Sequence, residues 1–196
     1  MEYPIITISR EFYAGGTTVA KGLSEKLSIP WYEHDVSKLA AQISGYTEEE
    51  IQSEGEEISK LNIILDNMLN GLVSYKSSYD EIYNAQKEAI LELANKSSCI
   101  IVGRCAGPML RAAGFKTFDI FLYADEAVRI ERCVKSKGYS EAEAKKQIEK
   151  RDNLRRIYYK KYTGKEYDDF HNYNLCIDTG IVEYDRSIDM IANILK

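Results

Sequence analysis

Four arginines and one glycine turn are the residues of this 196-residue chain best suited to chemistry. Arg10, Arg104, Arg151 and Arg155 carry guanidinium forks, which grip phosphate oxygens two at a time. The turn Tyr13-Ala14-Gly15-Gly16-Thr17-Thr18 follows a β-branched run, Ile5-Ile6-Thr7-Ile8, and precedes a helical pattern through Val19, Ala20, Leu23 and Leu27. Strand, glycine turn and helix in that order build an anion cradle. Glycine lets the backbone approach closely, and the helix start offers free N–H groups and the positive end of its dipole. The phosphate-cradle pattern G-x-x-x-x-G-K-[ST] fits in part. Gly15 falls on its second glycine and Thr17 on the hydroxyl that binds magnesium, while Arg10 replaces the first glycine and Gly16 replaces the lysine. Arg10 is therefore the expected substitute for the missing lysine charge.

These residues need a scaffold that gathers them. Short apolar runs alternate with helical patterns along the chain, the signature of a parallel sheet with crossover helices. The expected strands are the first run, Ser28–Tyr32, Ser98–Val102, Phe118–Tyr123 and Leu175–Asp178. Ligands bind beyond the carboxyl ends of such strands. Those ends bring together the glycine turn, then Glu33, His34 and Asp35, then Gly103 and Arg104, then Asp125, then Asp178 and Thr179. Backbone donors, arginine and carboxylates at one edge suit phosphates with a magnesium ion.

Two amphipathic helices, over 58–72 and about 79–94, are expected between the second and third strands. They form a helical insert (approximately 45–95) on the substrate side or a thicker helical layer on the sheet. A short helix is expected to begin at Pro108. Ser140-Glu141-Ala142-Glu143 reads as a capping box opening a long basic helix to about Lys161. Arg151 and Arg155, four apart, share one face of it and can close on one phosphate. A polar, tyrosine-rich loop over 162–172 completes an expected lid (approximately 140–172). Read alone, the turn also suits a plain strand-to-helix corner, Arg104 a surface ion pair, and the basic helix a solvated face with an Asp152–Arg156 pair.

Composition excludes several classes. Forty-four per cent hydrophobic and 29% charged residues suit one globular domain over 1–196 rather than a disordered chain. A net charge of −5 argues against a nucleic-acid-coating protein, and no apolar run is long enough to span a membrane. No signal-like segment precedes the first strand, so the expected location is cytoplasmic. Cys99, Cys105, Cys133 and Cys176 lack C-x-x-C spacing and read as reduced thiols, and with His34 and His171 isolated no protein-only metal site is expected.

Taken together, these pieces resemble the cytidylate kinase-like family, a branch of the P-loop nucleoside monophosphate kinases. The matching segments are Ile8-Ser9-Arg10-Glu11-Phe12 with Gly15-Gly16, Pro30-Trp31-Tyr32-Glu33 and Ile101-Val102-Gly103-Arg104-Cys105-Ala106. Phe121-Leu122-Tyr123-Ala124, Arg151-Asp152-Asn153-Leu154-Arg155 with Tyr158-Tyr159, and Tyr173 to Thr179 follow in the same order. The resemblance implies a three-layer α/β kinase fold and ATP-dependent phosphoryl transfer to a small acceptor, typically a nucleoside monophosphate such as CMP, with Mg2+. It implies donor phosphates on Tyr13 to Thr18, magnesium at Thr17, an acceptor contact from Arg104, and catalytic roles for the lid arginines Arg151 and Arg155; beside it, the strand ends make Glu33 and Asp35 expected acceptor contacts, and the missing lysine makes Arg10 an expected catalytic cation. Cys105 departs from the Gly-Arg-Asp of authentic cytidylate kinases. The implied partners are small nucleotides, with the oligomeric state open. A kinase for another small acceptor and a non-catalytic nucleotide- or phosphate-binding module are the alternatives.

Overall fold

The structure, a computed structural model, describes residues 4–54 and 78–195. Five parallel strands form one sheet: β1 (Ile5–Arg10), β2 (Trp31–Tyr32), β3 (Ile100–Val102), β4 (Thr117–Tyr123) and β5 (Leu175–Asp178), in the order β2-β3-β1-β4-β5. Central β1 pairs Ile8 with Val102 on one side and Ile120 on the other. Alternate residues face opposite layers, as the pleat requires. Ile6, Ile8, Ile100, Val102, Ile120 and Leu122 meet the apolar stripes of α1 (Gly16–Leu27) and α8 (Tyr184–Ile194). Ile5, Ile101 and Phe121 meet the opposite layer, built on α2 (His34–Ser44), α3 (Glu48–Glu54), α4 (Ser78–Lys96) and α5 (Ala106–Ala112). Two further helices, α6 (Glu126–Lys137) and α7 (Glu141–Thr163), cross near the carboxyl edge. Both faces of the sheet are thus covered, the expected three-layer α/β arrangement.

Several expected boundaries move for local reasons. β2 spans Trp31–Tyr32, because Ser28 is left-handed and Pro30 has no N–H for a ladder. β3 starts at Ile100, after the bend that leaves α4. α5 starts at Ala106, placing Pro108 in the first turn, where a missing N–H costs no helical bond. The expected helix over 58–72 lies outside the described residues. The capping box is present: Ser140 accepts from the Glu143 N–H, and the Glu143 carboxylate accepts from the Ser140 N–H. α7 then runs two residues past Lys161 to Thr163. Buried Ala144, Ile148, Asp152, Arg155, Tyr158 and Tyr159 lie along its inner side, so this basic helix is docked over much of its length. The four cysteines are free thiols, three of them buried.

A candidate phosphate site

β1 runs straight into the glycine turn, and the turn is shaped by where its carbonyls go. Arg10 O accepts from Arg155 Nη1 at 3.1 Å and from the Tyr167 hydroxyl at 2.9 Å. Glu11 O accepts from the Ala14 N–H. Phe12 O takes Arg129 Nη1, Tyr13 O takes Arg132 Nη1, and Ala14 O takes the Thr179 hydroxyl at 2.9 Å. All five successive carbonyls are hydrogen-bonded, and those of Phe12, Tyr13 and Ala14 go to Arg129, Arg132 and Thr179, which do not line the hollow. The Gly16, Thr17 and Thr18 amides open α1, where helical geometry supplies no internal acceptor. An anion at this end meets donors and the positive end of the helix dipole.

Two left-handed residues make the bend. Gly15 has φ +91°, and a Cβ there would stand 2.2 Å from the Tyr184 ring, so glycine is required twice over. Tyr13 has φ +63°, uncommon for a residue with a side chain. The surroundings hold it there: Phe12 and Tyr13 pack with Cys133, Ala144 and Ile148 of α6 and α7.

Arg10, at the end of β1, is 8% exposed and sends its side chain alongside Gly16. A Cβ on residue 16 would lie 2.9 Å from Arg10 Cγ and 3.0 Å from Cδ. Arg10 and position 16 therefore share one space: the arginine stem lies where a side chain on residue 16 would begin. Arg10 Nη2 reaches Glu33 Oε1 at 3.3 Å, and Thr17 Oγ1 donates to Glu33 Oε2 at 2.8 Å. Arg10, Glu11, Phe12, Tyr13, Gly15, Gly16, Thr17, Thr18, Glu33, Ser136, Arg155 and Tyr184 enclose a hollow of about 390 Å³. Ala14 is buried in the loop behind it. Burial raises the Glu11 carboxyl above its usual range, an effect opposed by Arg129 beside it.

Glu33 is expected on the acceptor side from its place at a strand end, and the structure seats it in the hollow beside the glycine turn. Asp35 is exposed in the first turn of α2 and does not line that hollow. Arg104 is 7% exposed rather than on the surface, and its Nη2 donates to Ser37 Oγ at 2.9 Å. The turn that aims it strings three left-handed residues together: Gly103 at +78°, Arg104 at +56° and Cys105 at +54°. Such a run costs conformational energy and persists only where packing enforces it. Ser9, Arg155, Tyr158, Tyr159 and Tyr167 close over Arg104 and Cys105, leaving about 10 Å³, at most one water. Burial pushes the Tyr159 hydroxyl up to about 12, so this ring stays neutral at working pH.

Arg151 and Arg155 do share a face, and their guanidinium carbons lie 5.8 Å and 5.6 Å from the Phe12 ring centre. Only Arg155 lines the hollow; Arg151 is exposed above it. Arg155 Nε is buried without a hydrogen-bond partner among the described residues. The sequence reading missed the residues that hold the turn. Asp152 pairs with Arg129 at 2.5 Å and accepts from the Phe12 N–H at 2.7 Å, while Arg156 turns to Asp168. Arg132 joins Tyr13 to Thr179 and lies 4.6 Å from the Tyr184 ring centre. The available signal was a charge on an apolar stripe, Arg129 four residues before buried Cys133.

Comparison with known proteins agrees with this architecture. A cytidylate kinase from Methanothrix thermoacetophila is 30% identical over 177 residues, covering 90% of this chain and 88% of that protein. One from Archaeoglobus fulgidus is 27% identical over 97% of this chain and 94% of its own length. Among solved structures, an uncharacterized protein from Eubacterium ventriosum superposes with a TM-score of 0.72 at 27% identity, covering 98% of each chain. Shikimate kinase from Bacteroides thetaiotaomicron shares the fold, with a TM-score of 0.57, 14% identity and 98% coverage of each chain. The two cytidylate kinase relatives support a nucleotide kinase, and no described helix is long and apolar enough to cross a membrane. The family profile matches residues 5–181, from the first residue of β1 past the end of β5, and the chain belongs to the cytidylate kinase-like family.

Proposed function

We propose that this chain transfers the γ-phosphoryl group of ATP to a nucleoside monophosphate, with CMP the leading acceptor. The observation that carries this reading is the turn itself, with the Phe12, Tyr13 and Ala14 carbonyls taken by Arg129, Arg132 and Thr179 and with Arg10 and Arg155 lining the same hollow. The donor phosphates rest on the turn Tyr13 to Thr18, against the open amides of Gly16, Thr17 and Thr18 and beyond buried Ala14, whose N–H is given to Glu11 O. Phosphoryl transfer asks for positioning and charge stabilisation more than for a nucleophile, and this geometry supplies both. Arg10 takes the charge role of a loop lysine. Arg155, against Phe12 and Arg10 O, faces both the hollow and the Arg104 side and steadies charge as it moves between them. Arg151 joins it from the rim. Arg104 meets the acceptor phosphate, with Asp35 at the open side, and residues 140–172 act as the lid.

Thr17 and Glu33 fit a magnesium ion carried in with the nucleotide. They are two hard oxygen donors 2.8 Å apart at the helix start, and no cluster of three His, Cys, Asp or Glu suited to a protein-only cage occurs among the described residues. When bound, that ion neutralises charge on the phosphate oxygens.

Cys105 and the closed space beside Arg104 favour a second reading, a kinase for a different small acceptor. A coupled ADP-release assay across CMP, dCMP, UMP and non-nucleotide phosphates and alcohols, with ATP and magnesium, separates the two. Turnover on CMP supports the first reading, and turnover only on another acceptor supports the second. Binding of ATP without turnover on any acceptor marks a nucleotide-binding module and refutes both. Thermal shifts with ATP provide the binding arm.

A further inference from the structure

Glu33 occupies an unusual position. It is the cap residue immediately before α2, yet its side chain makes no capping bond to that helix. It crosses instead to the phosphate hollow, where its side chain is 13% exposed and each oxygen has a partner. Oε1 meets Arg10 Nη2 at 3.3 Å, and Oε2 accepts from Thr17 Oγ1 at 2.8 Å. Those partners are the cation and the hydroxyl that the proposed function assigns to the donor phosphates and their metal. An anion of the protein therefore stands in a cradle built for an anion.

We infer that Glu33 makes this cradle selective for metal-complexed nucleotide over free nucleotide. A metal-free polyphosphate must draw Arg10 and Thr17 away from Glu33 and then lie against its carboxylate, and like charges at short range in a partly buried site repel strongly. A divalent cation between the two anions removes that repulsion. Glu33 then changes from competitor to partner without leaving the hollow. The inference rests on the donor-site reading above, but it adds a discrimination that a cradle of amides, Thr17 and Arg10 would lack. If Glu33 were only a brace for Arg10, neutralising it would weaken metal-free and metal-bound nucleotide alike.

Isothermal titration of ADP into wild type and Glu33→Gln, in EDTA and in excess magnesium, decides the matter. Glutamine keeps the length and an oxygen acceptor while removing the charge. In wild type, magnesium should tighten ADP binding about tenfold or more, a difference of about 1.4 kcal/mol. Glu33→Gln should bind metal-free ADP more tightly than wild type does, and its gain from magnesium should shrink several-fold. Equal affinity of wild type for ADP with and without magnesium overturns the inference with no variant needed. So does a Glu33→Gln protein whose affinity falls in both conditions. Binding by wild type with those results leaves the donor-site reading intact, whereas no ADP binding in either condition removes that reading and this inference together. A thermal melt of each apo protein confirms that the variant is folded.

Discussion

If the cradle cation has moved from the helix to the strand, Arg10 and Gly16 must behave as one unit. Placing lysine at position 16 while Arg10 stays brings its Cβ to 2.9 Å from Arg10 Cγ and 3.0 Å from Cδ. Those atoms are mid-chain carbons of a side chain that is nearly buried and tied to Glu33, so they cannot swing clear as a free end would. Overpacking of this kind costs about 1–3 kcal/mol. Gly16→Lys alone should therefore melt earlier than wild type and gain no activity from its added charge. Arg10→Ala makes room but removes the cation. Losing one fixed donor to charge developing on a phosphate costs about 2.7–4 kcal/mol, or roughly 10²–10³ in kcat.

The double variant Arg10→Ala/Gly16→Lys puts a lysine into the vacated space. It should recover at least about tenfold of the lost turnover, with a coupling energy in the usual range of about 0.5–3 kcal/mol for residues in contact. The assay is coupled ADP release by wild type and the three variants, beside thermal melts of all four. Arg10→Ala turning over like wild type would refute the cation role. Additive effects on both turnover and melting would refute the claim that the two positions share one space.

Two further outcomes follow from neighbouring contacts. The Tyr167 hydroxyl accepts from the Arg10 N–H at 3.0 Å and donates to the Arg10 carbonyl, so Tyr167→Phe removes both bonds, each worth about 0.5–1.5 kcal/mol; urea denaturation should show that loss, and kcat should fall if the backbone of Arg10 aims its side chain. Ser140 hydrogen bonds hold the Glu143 carboxyl below its usual 4.5. A carboxyl lowered by folding contributes stability that is present above the unfolded value and lost as pH falls through the folded one. Ser140→Ala should therefore lower the melting temperature by about 2–4 °C at neutral pH, and the gap should narrow as the pH is taken below 4.5.

What the sequence made readable were the features whose cause is local. Gly15 announces a left-handed turn because few other residues adopt that backbone. Ser140 and Glu143 announce a helix start because the three-residue spacing is the bond itself. The alternating faces of β1 and the four-residue spacing of Arg151 and Arg155 are equally local, and both are present. The residues that brace the turn were hidden because their partners are distant in the chain. Asp152 has Arg156 four residues away, yet it pairs with Arg129 of another helix. Glu33 lies two residues before Asp35 in sequence, but the two short steps of β2 deliver only Glu33 to the hollow. Tyr13 gave no sign of its positive φ, which is imposed by the packing of Phe12 and Tyr13 against α6 and α7.

If the cradle cation sits on β1, what the proposed lid can control changes as well. A lysine in the first turn of α1 would be placed by that helix, whose packing lies on the α8 side of the sheet. Arg10 is placed by the end of β1, where its N–H and carbonyl are both held by Tyr167 and its carbonyl also by Arg155. Tyr167 and Arg155 belong to the segment proposed as the lid. Any displacement of that segment from the sheet edge must therefore release the backbone of the residue that carries the cradle charge. The same two residues close the space beside Arg104. Under the proposed assignments, opening that space for an acceptor and repositioning the donor cation would be mechanically one event, a coupling that a loop lysine on α1 would not impose.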